Sequence, residues 1–278
     1  MSNTDLTPEE SIRKYFRGNI DLYVQAAKKV GLPVDEENLQ SIMDNAEIIL
    51  EEDESTTGTF SVSREKIIVN MNNFKKNGSS RNTFLLLHEI AHLDSAVLAE
   101  LDTDPHGVFQ RLKDIEQMTP GDGVSGLNAY FGIIAIDEVL AQWTCDELHA
   151  AIHNKERSVQ EYSKGPLGSR VKFKSDFTKD DIYSPLEEVV EKLLQSLGFK
   201  DLREFACKAL ASDMSVVDMI RGDNFRALCQ IGIICCAIYN ENGFYNAKKV
   251  SSEEVEHAFE NLHRFSDYGE NGGQHEIE

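Results

Sequence analysis

The segment FLLLHEIAHLD, residues 84–94, places three ionisable side chains inside a hydrophobic run. They are His88, Glu89 and His92, and most of their neighbours are leucine, isoleucine and alanine. A helix that is apolar almost all round is typical of the protein interior. A polar group buried there costs free energy unless it finds a partner. The pattern therefore indicates that these three residues meet an ion or other polar groups of the chain.

Residues 88–92 have the form HExxH, a pattern typical of zinc sites. On a helix, side chains four positions apart share one face, about 5–6 Å apart at Cβ, so both imidazoles can reach one ion. Glu89 lies beside that ion, where it can take a proton from a zinc-bound water whose pKa the metal lowers to about 7. The motif predicts one Zn2+ ion bound by His88 and His92, with Glu89 as the catalytic base. The alternative, chance residues on a solvated helix, is disfavoured by the apolar neighbours.

Two histidines do not complete a zinc site, because catalytic sites have three protein ligands. The continuation HExxHxxGxxH is absent, since residues 94–99 read DSAVLA. Asp137 and Glu138 interrupt a second long apolar segment, so the same cost of burial applies to them. We predict Glu138 as the third metal ligand and Asp137 as a residue that supports a ligand. Gln142, one turn further along, is predicted to hydrogen-bond a metal-bound imidazole.

Four other side chains are weaker candidates for this site. His106, in a loop with proline and glycine, and Tyr130, two turns before Glu138, are candidate donors to the transition state. His149 and His153 have the spacing of a ligand pair, but no acid follows the first histidine and both lie at a polar helix end. We therefore interpret this pair as solvated surface residues.

The segments before the motif predict two helices followed by a small sheet. Apolar residues recur with helical spacing over 8–31, after a Thr-Pro start, and a shorter helix is predicted over 35–45. Residues 46–52, 58–64 and 66–72 are short and rich in β-branched side chains. They predict three strands, and we expect a mostly antiparallel sheet because the connections are too short for crossovers.

The remaining chain is predicted to be helical apart from its loops. Residues 74–82 are expected to form a loop, followed by the motif helix over 82–98. A long apolar helix is predicted over 127–153, and a polar linker over 154–181 separates it from a helical C-terminal part.

The composition of the 278-residue chain disfavours several classes of partner. Acidic residues outnumber basic ones 48 to 28, which gives a formal charge of −20, and no dense Lys/Arg cluster appears. We therefore expect no nucleic-acid partner. No run approaches the roughly 18 apolar residues of a membrane span, and the N-terminus lacks a signal-peptide core. The five cysteines have no CxxC spacing, which is typical of buried thiols in a reducing compartment, so we predict a cytoplasmic protein without a membrane partner.

A family resemblance covers roughly residues 45–150. Strands over 58–72, then FLLLHEIAHL, then a helix with the pattern E-x-x-A-Q resemble the zincin domain of the ImmA/IrrE-like metallopeptidases, which are gluzincin-type (HExxH…E) enzymes. The resemblance implies two zinc-binding histidines, a catalytic base and a glutamate as third ligand. The positions that match these roles are His88, His92, Glu89 and Glu138.

The chain departs from that family pattern in two places. Gln142 stands where the family has Asn or Asp, and the gap between His92 and Glu138 is longer, with residues 99–126 as an insertion. Membership of the broader gluzincin class is therefore better supported than membership of this family.

We predict an α+β fold with a zincin-like core: a small, mostly antiparallel sheet, an HExxH helix and a glutamate helix. The core is expected over 46–155, with N-terminal helices over 1–45, a C-terminal helical region over 156–265 and a flexible tail over 266–278.

The predicted function is that of a zinc metallopeptidase that acts on a protein or peptide substrate. The alternative is a non-catalytic, zinc-binding regulatory protein with the same fold. A purely structural site needs no base, so Glu89 favours the enzyme. The pattern leaves open the cleavage specificity, the role of the C-terminal region and the oligomeric state.

Overall fold

The chain folds into an α+β structure that is mostly helical. The computed structural model describes residues 6–52, 59–121, 123–154, 183–241 and 248–271. The strands of this part are β1 Glu47–Glu51, β2 Phe60–Val62 and β3 Lys66–Asn70. Its α-helices are α1 Pro8–Val30, α2 Glu36–Asn45, α3 Met71–Lys76, α4 Ser79–Asp94, α5 Ala96–Thr103, α6 Pro105–Met118, α7 Gly126–Ile152, α8 Tyr183–Ser196, α9 Leu202–Ala209, α10 Gly222–Glu241 and α11 Ser252–Asn271.

Helix α1 begins and ends at clear sequence signals. The Thr7 hydroxyl accepts a hydrogen bond from the Glu10 N–H at 3.2 Å, and the Glu10 carboxylate accepts one from the Thr7 N–H at 2.7 Å. Pro8 occupies the first turn, and Gly31 ends the helix with a left-handed φ of 75°. The predicted helix over 8–31 is therefore confirmed, as is the shorter helix α2.

The three predicted strands form one sheet, but its order is β1-β3-β2 and it is mixed. β2 and β3 pair antiparallel, as predicted, whereas β1 and β3 pair parallel. The expectation of a mostly antiparallel sheet is therefore wrong for one of the two pairs. A parallel pair needs a crossover of about a dozen residues or more. Residues 52–65 connect β1 to β3 and are long enough for this crossover. They include β2, which pairs with β3 on the side opposite to β1.

Strand β2 is an edge strand of the described sheet and contacts α4. The carbonyl of Thr59 and the N–H of Ser63 hydrogen-bond to β3. Because bonding alternates along an antiparallel pair, Phe60 and Val62 direct their backbone groups to the outer edge. This edge therefore presents unpaired strand groups beside the motif helix.

The motif helix is shorter than predicted and begins earlier. Helix α4 starts after Gly78, and Asn82 donates a side-chain hydrogen bond to the Phe74 carbonyl at 2.8 Å, which ties α4 to α3 within the predicted loop. The helix ends at Asp94, where Ser95 is extended (φ −82°, ψ 129°) and caps α5. The predicted helix over 82–98 is thus two helices with a break at Ser95.

Helix α7 lies antiparallel to α4 and continues from 126 to 152, close to the predicted 127–153. Near its middle, Glu138 meets His88. Further along α7, the Cys145 thiol contacts the Phe84 carbonyl at 3.2 Å. Residue numbers therefore rise along α7 as they fall along α4. This antiparallel packing brings Glu138 opposite His88.

The C-terminal helices pack on α7, most closely through α10. The contact lies at two glycines: a Cβ at Gly132 would be 2.3 Å from the Leu228 carbonyl oxygen, and one at Gly232 would be 1.7 Å from that of Asn128. The buried apolar residues of the N-terminal, central and C-terminal helices belong to one cluster. The described residues on both sides of the predicted limits at 45 and 155 therefore share one hydrophobic core.

The ends of the C-terminal region differ from their predictions in part. Most of the predicted linker, from 155 to 182, lies outside the described residues. Residues 266–271, predicted as part of the flexible tail, belong to α11, and 272–278 lie outside the described residues.

Four of the five cysteines are buried, as expected, whereas Cys207 is exposed. Among the helices that the structure describes, none has the length and apolar character needed to cross a membrane.

Candidate metal centre

Helices α4 and α7 bring three metal-binding side chains together. His88 and His92 lie one turn apart on α4, and their Nε2 atoms are 3.1 Å from each other. Glu138 projects from α7, and its Oε2 lies 3.5 Å from Nε2 of His88 and 3.6 Å from Nε2 of His92. These ligand atoms converge on one point, so the group can bind a metal ion.

The spacing of the ligand atoms fits a small tetrahedral ion. Bonds of about 2.0–2.2 Å from zinc to nitrogen and oxygen place two corners of a tetrahedron about 3.3–3.6 Å apart. The three observed separations are 3.1, 3.5 and 3.6 Å. The side chain of Glu138 is 18% exposed, whereas that of His88 is 2% exposed, so solvent reaches the group from the glutamate side.

Opposite charges stabilise each other within this group. Burial lowers the pKa of His92, but the carboxylates of Asp137 and Glu138 outweigh burial and raise that pKa well above its ordinary value. Burial raises the pKa of Glu138, but the two imidazoles outweigh it and hold the pKa far below its ordinary value. The carboxylate therefore stays ionised, and a cation bound by the same atoms would take the place of the imidazole proton.

Asp137 contacts His92 on the ring nitrogen that faces away from Glu138. The distance from His92 Nδ1 to Asp137 Oδ2 is 2.6 Å, and the Ser95 hydroxyl donates to Asp137 Oδ1 at 2.5 Å. All three side chains are buried. A carboxylate that accepts from Nδ1–H leaves Nε2 with its lone pair toward the other ligands, which is the tautomer that metal binding requires.

Glu89 lies between the ligands and the outer edge of β2. Its carboxyl group faces the backbone of Val62, whose N–H β3 does not use. Burial raises the pKa of Glu89, the two imidazoles lower it and Glu138 raises it, so that the pKa lies above its ordinary value. A carboxylate with a raised pKa is better suited to accept a proton and return it near neutral pH.

Gln142 makes no hydrogen bond to an imidazole among the described residues, and its role beside a metal-bound imidazole stays a prediction. The Gln142 amide donates to Asp146 Oδ2 at 3.2 Å, one turn further along α7. Its carbonyl oxygen and Nδ1 of His88 are buried without a hydrogen-bond partner among the described residues. A nearby acid on the same helix face therefore competes successfully for the amide.

Neither predicted transition-state donor hydrogen-bonds to a ligand among the described residues, so their roles stay predictions. His106 is exposed on the first turn of α6, which begins at Pro105, so it is helical and not in a loop. Tyr130 is partly buried, with edge-to-face contacts to Phe109 and Phe131. Burial raises the pKa of Tyr130, and the nearby Asp102 carboxylate raises it further.

The second histidine pair is separate from the metal-binding group. The rings of His149 and His153 are 4.4 Å apart, and His149 packs edge-to-face on Phe84 at 5.3 Å. Among the described residues, the candidate metal-binding group consists of His88, His92 and Glu138 and does not include this pair.

Two contacts of the centre were not predicted from the sequence. The first is the Ser95 hydroxyl on Asp137, and the second is the Val62 backbone beside Glu89. Ser95 follows the motif by three positions in a segment predicted to continue the helix, where a serine carries no signal of its own. The Val62 contact belongs to the backbone, so no side-chain pattern indicates it.

Comparison with known proteins returns no match to this chain from family models, from curated proteins or from solved structures.

Proposed function

We propose that the protein is a zinc-dependent metallopeptidase of the gluzincin type. One observation carries the proposal: three ligand atoms lie within 4.8 Å of one another, beside a glutamate that is not itself a member of the group. Two imidazoles and a carboxylate are a ligand set of catalytic zinc sites, which keep a further position open. The N/O donor set also disfavours the all-thiolate sites that serve a structural role.

When bound, a zinc ion supplies Lewis acidity, which polarises a carbonyl group and lowers the pKa of water. Glu89 accepts a proton from the attacking water, whose oxygen forms a bond to the carbonyl carbon of the peptide. Glu89 then gives this proton to the departing amine as the C–N bond breaks, which yields a carboxylic acid and an amine.

The substrate in this proposal is an extended segment of a protein or peptide. Strand β2 directs backbone groups of Phe60 and Val62 outward, next to Glu89, so an extended chain can add to the sheet there. The sequence leaves two strands open as the substrate edge, 58–64 and 66–72. The first corresponds to β2, which lies at the edge of the described sheet. β3 is central, because it pairs on both sides.

The test compares wild type with Glu89→Gln on a mixture of unstructured peptides. Wild type is expected to cleave peptides and to lose that activity when a chelator removes zinc. The variant is expected to bind zinc as wild type does without cleaving. Zinc binding by both proteins with no cleavage by wild type would instead support the alternative, a non-catalytic zinc-binding regulator. Equal cleavage by both proteins would contradict the role of Glu89.

A further inference from the structure

Ser95 lies between the metal centre and a segment of the C-terminal region. Its hydroxyl donates to Asp137 at 2.5 Å, and Asp137 in turn contacts His92 at 2.6 Å. Its backbone pairs with Leu210 in an isolated antiparallel bridge, and the Ala211 N–H donates to the Asp94 carbonyl at 3.0 Å. We call residues 210–211 the docking segment.

We propose that Ser95 is a positioning residue for the metal centre and that the docking segment of the C-terminal region holds it in place. This inference rests on the metal-binding function proposed above. It assigns a role to the C-terminal helices, which otherwise contribute no ligand to the described site.

The contacts of the Ser95 hydroxyl leave it little freedom. It accepts from the Val97 N–H at 3.2 Å as the cap of α5 while it donates to Asp137. The side chain is almost fully buried, with 1% of the residue exposed. A hydroxyl with both its donor and an acceptor position engaged has a defined orientation. Asp137 therefore receives one fixed donor on each oxygen, from Ser95 and from His92.

The docking segment fixes the backbone from which this hydroxyl projects. Ser95 lies at the break between α4 and α5, where its own N–H bonds to the His92 carbonyl at 3.1 Å. The bridge to Leu210 is closed by the hydrogen bond from the Ala211 N–H to the carbonyl of the neighbouring Asp94, which holds the chain at the end of α4. Ala211 makes this bond with a left-handed φ of 51°, a conformation that is costly for alanine. Such a conformation persists where surrounding contacts impose it.

The proposal predicts a loss of metal affinity rather than a loss of the fold. Residues that orient metal ligands without touching the ion typically contribute about 10- to 100-fold to metal affinity. Ser95→Ala is expected to weaken zinc binding by about tenfold, because Asp137 keeps its bond to His92 but loses its anchor. Asp137→Asn is expected to lose more, since an amide cannot accept from both donors.

The matched control is Ser125→Ala. Ser125 is also a serine that caps a helix, accepting from the Asn128 N–H at 3.0 Å at the start of α7. It lies more than three turns before Glu138, so its loss removes a cap without touching Asp137. Ser95→Thr, which keeps a hydroxyl, is the rescue variant.

The assay measures zinc affinity of the full chain by competition with a chromophoric chelator. A second readout is the visible absorption spectrum of the Co2+-loaded proteins, which reports ligand geometry. We expect weaker zinc binding and an altered Co2+ spectrum for Ser95→Ala, and wild-type values for Ser125→Ala. If Ser95→Ala does not fold, Ser95→Thr and Asp137→Asn decide the question, with affinity kept by the first and lost by the second.

The docking segment is tested separately with Leu210→Ala and Leu262→Ala. Both leucines are buried, and Leu262 belongs to α11, which packs on α8 and α10. Under conditions in which both variants are folded, only Leu210→Ala is expected to weaken zinc binding. Equal affinities for Ser95→Ala and wild type, or equal losses in a variant and its control, would overturn the inference. A wild-type chain that binds no zinc would instead overturn the proposed function itself.

Discussion

Replacing Gly232 by alanine probes the contact that joins the C-terminal helices to the helix that carries Glu138. A Cβ at this position would lie 1.7 Å from the Asn128 carbonyl oxygen and 2.8 Å from the Gly132 nitrogen. Favourable contacts of carbon begin at about 3.5 Å, so the two backbones must separate by nearly 2 Å. The obstacle is backbone, and no side-chain rotation relieves it.

The expected loss in the free energy of unfolding is at least about 3 kcal/mol, the upper end of the cost of overpacking. Urea unfolding followed by circular dichroism measures it, with Gly18→Ala as the control. Gly18 is an exposed residue of α1, and a Cβ added there would meet no atom within 4 Å, so alanine is expected to stabilise by about 0.5–1 kcal/mol. Wild-type stability of Gly232→Ala would refute the close packing of α7 on α10.

Four further predictions concern single residues. Glu89→Gln is expected to lower kcat by about 100- to 10,000-fold with unchanged zinc content, measured by peptide cleavage and metal analysis. Glu138→Gln is expected to lower zinc affinity by more than about tenfold in chelator competition, because the negative ligand is lost. Ala211→Gly is expected to raise the free energy of unfolding by about 1 kcal/mol in urea, since glycine tolerates the left-handed φ. Burial raises the pKa of Asp94 to about 6 from 3.8, so the folded state binds its proton more tightly and stability falls as the pH rises between these values. Asp94→Asn is expected to remove about 2 kcal/mol of that fall between pH 4 and pH 7, seen as the difference between the wild-type and variant urea curves at the two pH values.

The sequence predicts most of the helices and the metal-binding group because both depend on local patterns. The spacing of His88 and His92 is fixed by the helix, and the cost of burying Glu138 identifies it although it lies far along the chain. The capping signals around Thr7 and Gly31 likewise predict the limits of α1. For the histidine pair, Glu138 and the caps of α1, the residue types and their positions are enough for the prediction, and the rest of the fold is not needed.

The remaining features depend on contacts between distant segments. The parallel pairing of β1 with β3 follows from where β2 lies in the sheet, which the short strands do not specify. The break at Ser95 lies at a bridge to Leu210, more than a hundred positions later. Gln142 bonds to Asp146, one turn further along the same helix. No periodicity in the sequence decides these choices.

The central claim is that His88, His92 and Glu138 bind one zinc ion, and metal analysis tests it most directly. The full chain, purified without a histidine tag, is to be analysed by mass spectrometry of its metal content beside His88→Ala. We expect one zinc ion per wild-type chain and loss of that ion in the variant. A wild-type chain without zinc, even after incubation with Zn2+ and removal of the excess, would contradict it.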